Sequence, residues 1–205
     1  DVKSRRARAI TDPFIVPHSD GAGVIDAVGA GVSASRVGER VWVWNGQWQR
    51  PIGTAAQYIV LPQAQAVFLP NNTDFAAGAC LGIPALTALQ ALNLAGDVRG
   101  KNVLVIGASS AVGHYATQIA KLRGAHVIGT AGSDIKIAHA RAAGADEVLN
   151  YKTEPVVDCL KALTGGKGVD VIIDMDLSTT AAWVAQGALA RHGQLICYGS
   201  NALDV

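Results

Sequence analysis

From Asn102 onward the chain alternates short apolar runs with stretches of mixed polarity. Residues 103–106 and 171–173 are continuously apolar, the pattern of strands buried on both faces. The spacing predicts strands at 103–106, 126–128, 147–149, 169–174 and 194–198, and helices at 111–123, 134–143, 155–163 and 179–190. Strands that alternate with helices imply βαβ units, a parallel sheet and right-handed crossovers. The first third reads differently. Residues 24–28, 40–44, 55–61 and 66–69 are short strand candidates, bounded by Gly29, Gly31, Gly38, Pro51, Pro62 and Pro70. Residues 75–94 are rich in Ala and Leu and read as helix, with Pro84 as a break.

Composition narrows the classes. Half of the 205 residues are hydrophobic, enough for a core, and the net charge is +1. That balance supplies no electrostatic footprint for a nucleic-acid backbone or an anionic membrane surface. No apolar run reaches the roughly 18 residues that span a bilayer. Cys80, Cys159 and Cys197 are too widely spaced for a disulfide framework and suit reduced thiols in the cytoplasm.

The chemistry concentrates where the first parallel strand meets its helix. Val103-Leu-Val-Ile-Gly107-Ala-Ser-Ser-Ala-Val-Gly113 is a strand, a glycine turn and a helix start, whose amides suit a pyrophosphate. The glycine spacing is one residue longer than GxGxxG, with Ser110 in the middle. The next strand ends in Gly129-Thr-Ala-Gly-Ser133 and carries no acid for the ribose hydroxyls. Ser133 and Lys136 suit a 2′-phosphate instead, so the expected cofactor is NADP(H) rather than NAD.

These features resemble the zinc-independent quinone oxidoreductase (zeta-crystallin-like) branch of the medium-chain dehydrogenase/reductase superfamily. The resemblance runs in order through Pro17-His-Ser-Asp-Gly-Ala-Gly-Val, Val37-Gly-Glu-Arg-Val, Gly53-Thr-Ala-Ala-Gln-Tyr, Gly78-Ala-Cys-Leu-Gly-Ile-Pro-Ala-Leu-Thr-Ala, Gly107-Ala-Ser-Ser-Ala-Val-Gly, Gly129-Thr-Ala-Gly-Ser-Asp-Ile-Lys, Val148-Leu-Asn-Tyr and Tyr198-Gly-Ser. Ser110 stands where the family usually has glycine, and Gln57 where it often has an acid. The resemblance implies an α/β protein: a partial GroES-like β-rich catalytic domain over 1–74, then a Rossmann-type doubly wound parallel sheet over 75–205. It implies NADPH as hydride donor and a quinone or α,β-unsaturated carbonyl as acceptor. Ser109, Ser110, Ala111 and Val112 would face the pyrophosphate. Gly132, Ser133, Lys136 and Tyr151 would surround the 2′-phosphate. Thr180, Tyr198, Gly199 and Ser200 would lie along the cofactor towards the nicotinamide, with Thr87 approaching that end.

Zinc-dependent relatives carry a histidine where this chain has Ser19, and His18 is one residue out of register, so no metal is expected. The residue that stabilises the carbonyl oxygen is not named by the sequence. Against the family pattern the chain reads as truncated, lacking both ends of the catalytic domain, and its last sheet edge suits pairing into a homodimer. Two alternatives stand beside the reductase: an NADPH-binding sensor or structural protein with little turnover, and a zinc alcohol dehydrogenase relative.

Overall fold

The computed structural model of the protein describes residues 12–200. The chain divides between Leu86 and Thr87 into two compact units.

The first unit is built on an antiparallel sheet of β1 (Gly21–Val24), β2 (Arg40–Val43) and β3 (Ala66–Phe68), in that order. β1 lies earlier than the expected 24–28, because Gly21 and Ala22 pair with Val43 and Trp42. Residues 55–61, expected as a strand, run through bends instead. Ala55, Gln57, Tyr58 and Val60 are all exposed, so the segment lacks the buried face that sets a strand's register. Arg40 ties the sheet to the segment after β3. Its guanidinium donates to the carbonyls of Pro70, Asn71 and Thr73 and lies 4.6 Å from the centre of the Phe75 ring.

Asp74 caps the short helix α1 (Phe75–Gly78), accepting from the Ala77 amide at 2.7 Å. A π-helical turn, Leu81–Ala85, comes next and contains Pro84, the expected break. The chain then enters α2 (Leu86–Leu94).

The second unit is a five-stranded sheet between two layers of helix. In chain order its elements are β4 (Asn102–Val105), α3 (Ala111–Leu122), β5 (His126–Ala131), α4 (Asp134–Ala142), β6 (Glu147–Asn150), α5 (Val156–Leu163), β7 (Val169–Asp174), α6 (Leu177–Ala185) and β8 (Leu189–Cys197). The strand order is β6-β5-β4-β7-β8 and every pair is parallel. This is the parallel sheet expected from the alternation and the doubly wound, Rossmann-type arrangement that the family resemblance implied. The last helix ends earlier than the expected 190, because Gly187 turns the chain at φ +91°. β8 then starts earlier than the expected 194 and bulges opposite Val169 and Val171.

Alternate strand residues separate the core into two layers. Val103, Val105, Val127, Val171 and Ile173 face one, packed by Ala88, Ala91 and Leu92 of α2, Ala116 and Ala120 of α3 and Ala140 of α4. Leu104, Ile128, Leu149 and Ile172 face the other, packed by Val156, Val157 and Leu160 of α5 and Trp183 and Val184 of α6. Small alanines let the first group of helices approach closely. Each fully buried branched side chain contributes about 1.5–3 kcal/mol. Among the described residues, no helix is long and apolar enough to cross a membrane.

Two contacts seat α3. A Cβ on Gly113 would collide with the Gly107 carbonyl oxygen and lie 2.9 Å from the Ala108 Cα. On its outer side, His114 stacks on His139 of α4, ring centres 4.8 Å apart, with its Nδ1 buried and unpaired. Burial, reinforced by His139, holds the His114 pKa below the ordinary 6.5.

Gly113→Ala should destabilise the fold by about 1–3 kcal/mol, measured by urea unfolding; an unchanged midpoint would contradict the close helix–turn contact. Because the His114 pKa is depressed in the fold, the unfolded chain binds more protons as pH falls through about 6.5. Stability should therefore decline from about pH 7 to 5, and His114→Gln should flatten that slope in unfolding curves taken across the range.

Candidate functional site

The carboxyl ends of β4, β5, β7 and β8 gather one site in the second unit, at the point where the strand order reverses. β4 and β7 are neighbours, but their chains leave in different directions, to α3 on one face and α6 on the other. A crevice forms where the connections part.

After β4 the chain turns through Gly107, held at φ +66°, where the glycine also leaves room for the Met175 sulfur. The Gly107 amide donates to Thr130 Oγ1 at 2.9 Å and the Ala108 amide to the Thr130 carbonyl at 3.0 Å. Thr130 thus pins the turn to β5. Ser110 is the N-cap of α3, and its Oγ accepts from the Gly113 amide at 3.1 Å. The amides of Ser109, Ala111 and Val112 find no acceptor among the described residues. They open a 12-residue helix whose dipole favours negative charge at this end.

At the end of β5, Gly132 lies against Tyr151, which comes just after β6. A Cβ on Gly132 would stand 2.6 Å from the Tyr151 hydroxyl. The Tyr151 ring is half exposed beside Ser133, the N-cap of α4, whose hydroxyl makes no capping hydrogen bond. Lys136 is exposed on the first turn of the same helix. Gly132 and Tyr151, nineteen positions apart in sequence, therefore meet at the β5–β6 edge, with Ser133 and Lys136 on the chain that follows Gly132.

The ends of β7 and β8 hold a buried polar cluster. Asp174 is fully buried; its Oδ1 accepts from the Thr180 hydroxyl at 2.8 Å and the Asp176 amide at 2.9 Å, while Oδ2 has no partner. Thr180, expected along the cofactor, is itself fully buried and committed to Asp174. The Tyr198 amide donates to the Asp174 carbonyl, and its side chain packs against the first core layer. Its hydroxyl oxygen is buried beside the Ser110 hydroxyl, the side chain with which it interacts. Burial pushes the phenol up to about 12; the neighbouring Ser110 hydroxyl works against that, and Asp174 and Cys197 add to it. Gly199 packs on the Met175 backbone, and the Ser200 hydroxyl accepts from the Ser178 amide at 3.3 Å. Thr87 stands half-buried on the first turn of α2.

Sequence reasoning missed Thr130, Met175 and Asp174. A carboxylate closing the apolar run of β7 was the available signal for Asp174. The first unit has a separate cavity of about 330 Å³ lined by His18, Ser19, Asp20, Ala79 and Ile83. Burial raises the Asp20 pKa above the usual carboxylate range, against the pull of the Ile83 amide that it accepts at 2.9 Å. Among the described residues, no group of three or more His, Cys, Asp or Glu side chains converges as a metal site would require.

Residues 1–71 match the family described as alcohol dehydrogenase GroES-like domain, and residues 111–204 the family described as zinc-binding dehydrogenase. A quinone oxidoreductase of Pongo abelii is 40% identical over 186 residues, 90% of this chain and 55% of the relative. The solved structure of an NAD-dependent alcohol dehydrogenase superposes with a TM-score of 0.80 at 33% identity, covering 93% of this chain and 63% of that one. Escherichia coli quinone oxidoreductase complexed with NADPH superposes with a TM-score of 0.73 at 29% identity, covering 89% and 55%. The chain spans about half the length of the curated relatives it matches.

Replacing Thr180 by Val removes a donor from a buried carboxylate and should cost about 1–3 kcal/mol in urea unfolding, whereas Thr180→Ser should keep most of the stability. Equal losses for both would argue that the methyl group, not the hydroxyl, matters.

Proposed function

This chain belongs to the medium-chain dehydrogenase/reductase superfamily, and on that premise we propose that it binds NADPH and passes a hydride to a quinone or α,β-unsaturated carbonyl without zinc. The observation that carries the cofactor reading is the end of β5. It closes on Ala131, Gly132 and Ser133 with no acid, and Tyr151 and Lys136 flank it. An acid there would accept the ribose hydroxyls of NAD and repel a 2′-phosphate. A hydroxyl, a phenol and an exposed lysine suit the phosphate.

The residues present fit a dinucleotide. Among the described residues, the amides at Ser109, Ala111 and Val112 are donors that lack acceptors. In this reading Ser109, Ser110, Ala111 and Val112 hold the pyrophosphate. Gly132, Ser133, Lys136 and Tyr151 hold the adenosine end. Thr87, Gly199 and Ser200 lie towards the nicotinamide, and Thr180 serves by fixing Asp174. Bound NADPH supplies the hydride. A quinone or enone acceptor accords with the similarity to quinone oxidoreductases. Ser19 at the cavity of the first unit favours a reaction without zinc, since a hydroxyl is a poor ligand beside the usual His, Cys and carboxylate.

Titration of the protein with NADPH and NADH, followed by nicotinamide fluorescence, tests the cofactor. NADPH should bind more tightly. Lys136→Ala should weaken NADPH by about three- to tenfold and leave NADH unchanged, the scale of one exposed charge-assisted contact. Equal loss for both nucleotides would sink the 2′-phosphate role. Adding a small quinone or an enone should then consume the NADPH absorbance at a rate unaltered by a zinc chelator.

A further inference from the structure

We propose that Asp20 sets the acceptor class, admitting compact neutral carbonyl compounds to the cavity of the first unit and excluding acceptors that carry a negative charge. The inference rests on the reductase reading and narrows its acceptor.

The wall that carries Asp20 is built into the fold. The carbonyls of Pro17, His18 and Ser19 accept from the amides of Ala55, Thr54 and Gly46 at 3.0, 2.9 and 2.6 Å, and the Asp20 carbonyl accepts from the Thr54 hydroxyl. A Cβ on Gly53 would collide with the carbonyl oxygens of Val16, Pro17 and His18. His18 is held at φ +75°, a left-handed conformation that costs a non-glycine residue free energy. On the opposite wall, Asp20 Oδ1 accepts from the Ile83 amide at 2.9 Å, and a Cβ on Gly82 would stand 2.1 Å from that oxygen. Only glycine at position 82 leaves room for the carboxyl group. Asp20 and Ile83, sixty-three positions apart, therefore fix one acid at the cavity.

The acid has no counterion. Among the described residues, His18, Ser19, Asp20, Ala79 and Ile83 line the cavity without Lys or Arg, and Asp20 makes no ion pair. Burial raises its pKa, with the Ile83 amide opposing. A second anion in the same space meets a repulsion that a half-buried wall screens less than water does. Ser19 brings a hydroxyl that suits a neutral carbonyl oxygen, and Ala79 and Ile83 an apolar side. A volume of about 330 Å³ stands at the small end of ligand cavities and suits a compact acceptor. Selection of this kind works through a repulsive element rather than an added attraction.

The test measures kcat/KM for NADPH oxidation by 1,4-naphthoquinone and by its 2-sulfonate, in wild type and Asp20→Asn, at about pH 8, where histidine is neutral. Asparagine keeps an acceptor oxygen for the Ile83 amide and removes the charge. Asp20→Asn should raise the sulfonate-to-neutral ratio of kcat/KM about tenfold, a modest share of the repulsion between two charges a few ångströms apart. A merely structural role would lower both rates and leave the ratio alone. In the wild type the same ratio should rise with salt, which tests the repulsion without any substitution. An unchanged ratio in Asp20→Asn, or a wild-type ratio indifferent to salt, overturns the proposal and leaves the reductase reading standing. A wild-type protein that oxidises NADPH with neither quinone overturns both.

Discussion

The seating of α3 on the turn after β4 is the contact on which the second unit's site depends. Gly113 rests on the Gly107 carbonyl and the Ala108 backbone, and Gly129 leaves room for the Ala108 methyl on the other side. With a side chain at Gly113 the helix would have to lift away from the turn. Its first amides would then no longer converge on the crevice. Thr130 locks the same turn from below through its hydroxyl and its carbonyl. The geometry that presents donors to an anion and the packing that stabilises the unit are therefore one arrangement.

A second constraint comes from the buried end of β7. Asp174 has no exposure, and one of its oxygens is held by Thr180 and the Asp176 amide. This anchors α6 to the strand that precedes it. The Asp174 carbonyl in turn receives the Tyr198 amide, so β8 ends in register with β7 and Tyr198 reaches the start of α3. Buried polar groups cost free energy unless paired, and among the described residues the second unit retains four with incomplete pairing: His114 Nδ1 and Thr117 Oγ1 on α3, Asp174 Oδ2 and Tyr198 Oη. The last two lie at the carboxyl ends of β7 and β8, the region where a ligand of a doubly wound sheet sits.

The first unit is organised by a different device. Its strands are short, and much of its cohesion runs through side chains that bind backbone. Arg40 spans three carbonyls, Arg36 donates to the Ala66 carbonyl, and Asp20 accepts from the Ile83 amide beside the π-helical turn. Such tethers leave weak hydropathy signatures. That is why residues 55–61 looked like a strand and are not, and why β1 begins at Gly21 rather than Val24. An alternating pattern specifies a strand only when a partner and a buried face are present.

The amino-acid sequence by itself determined the βαβ alternation, the bounds of β7, the glycine turn before α3 and the absence of an acid at the end of β5 itself, the nearest being Asp134 in the next helix. Each is written in a continuous stretch of chain, as apolar periodicity or as a glycine that a local backbone geometry requires. Only the tertiary structure decided which side chains meet. Gly132 against Tyr151, Thr130 under Gly107, Thr180 on Asp174 and Tyr198 beside Ser110 are all contacts between separate loops or strands. They arise from the strand order β6-β5-β4-β7-β8 and its registers, which bring residues tens of positions apart to the same edge. No local pattern encodes that adjacency, because parallel pairing is settled by the packing of whole helices and strands.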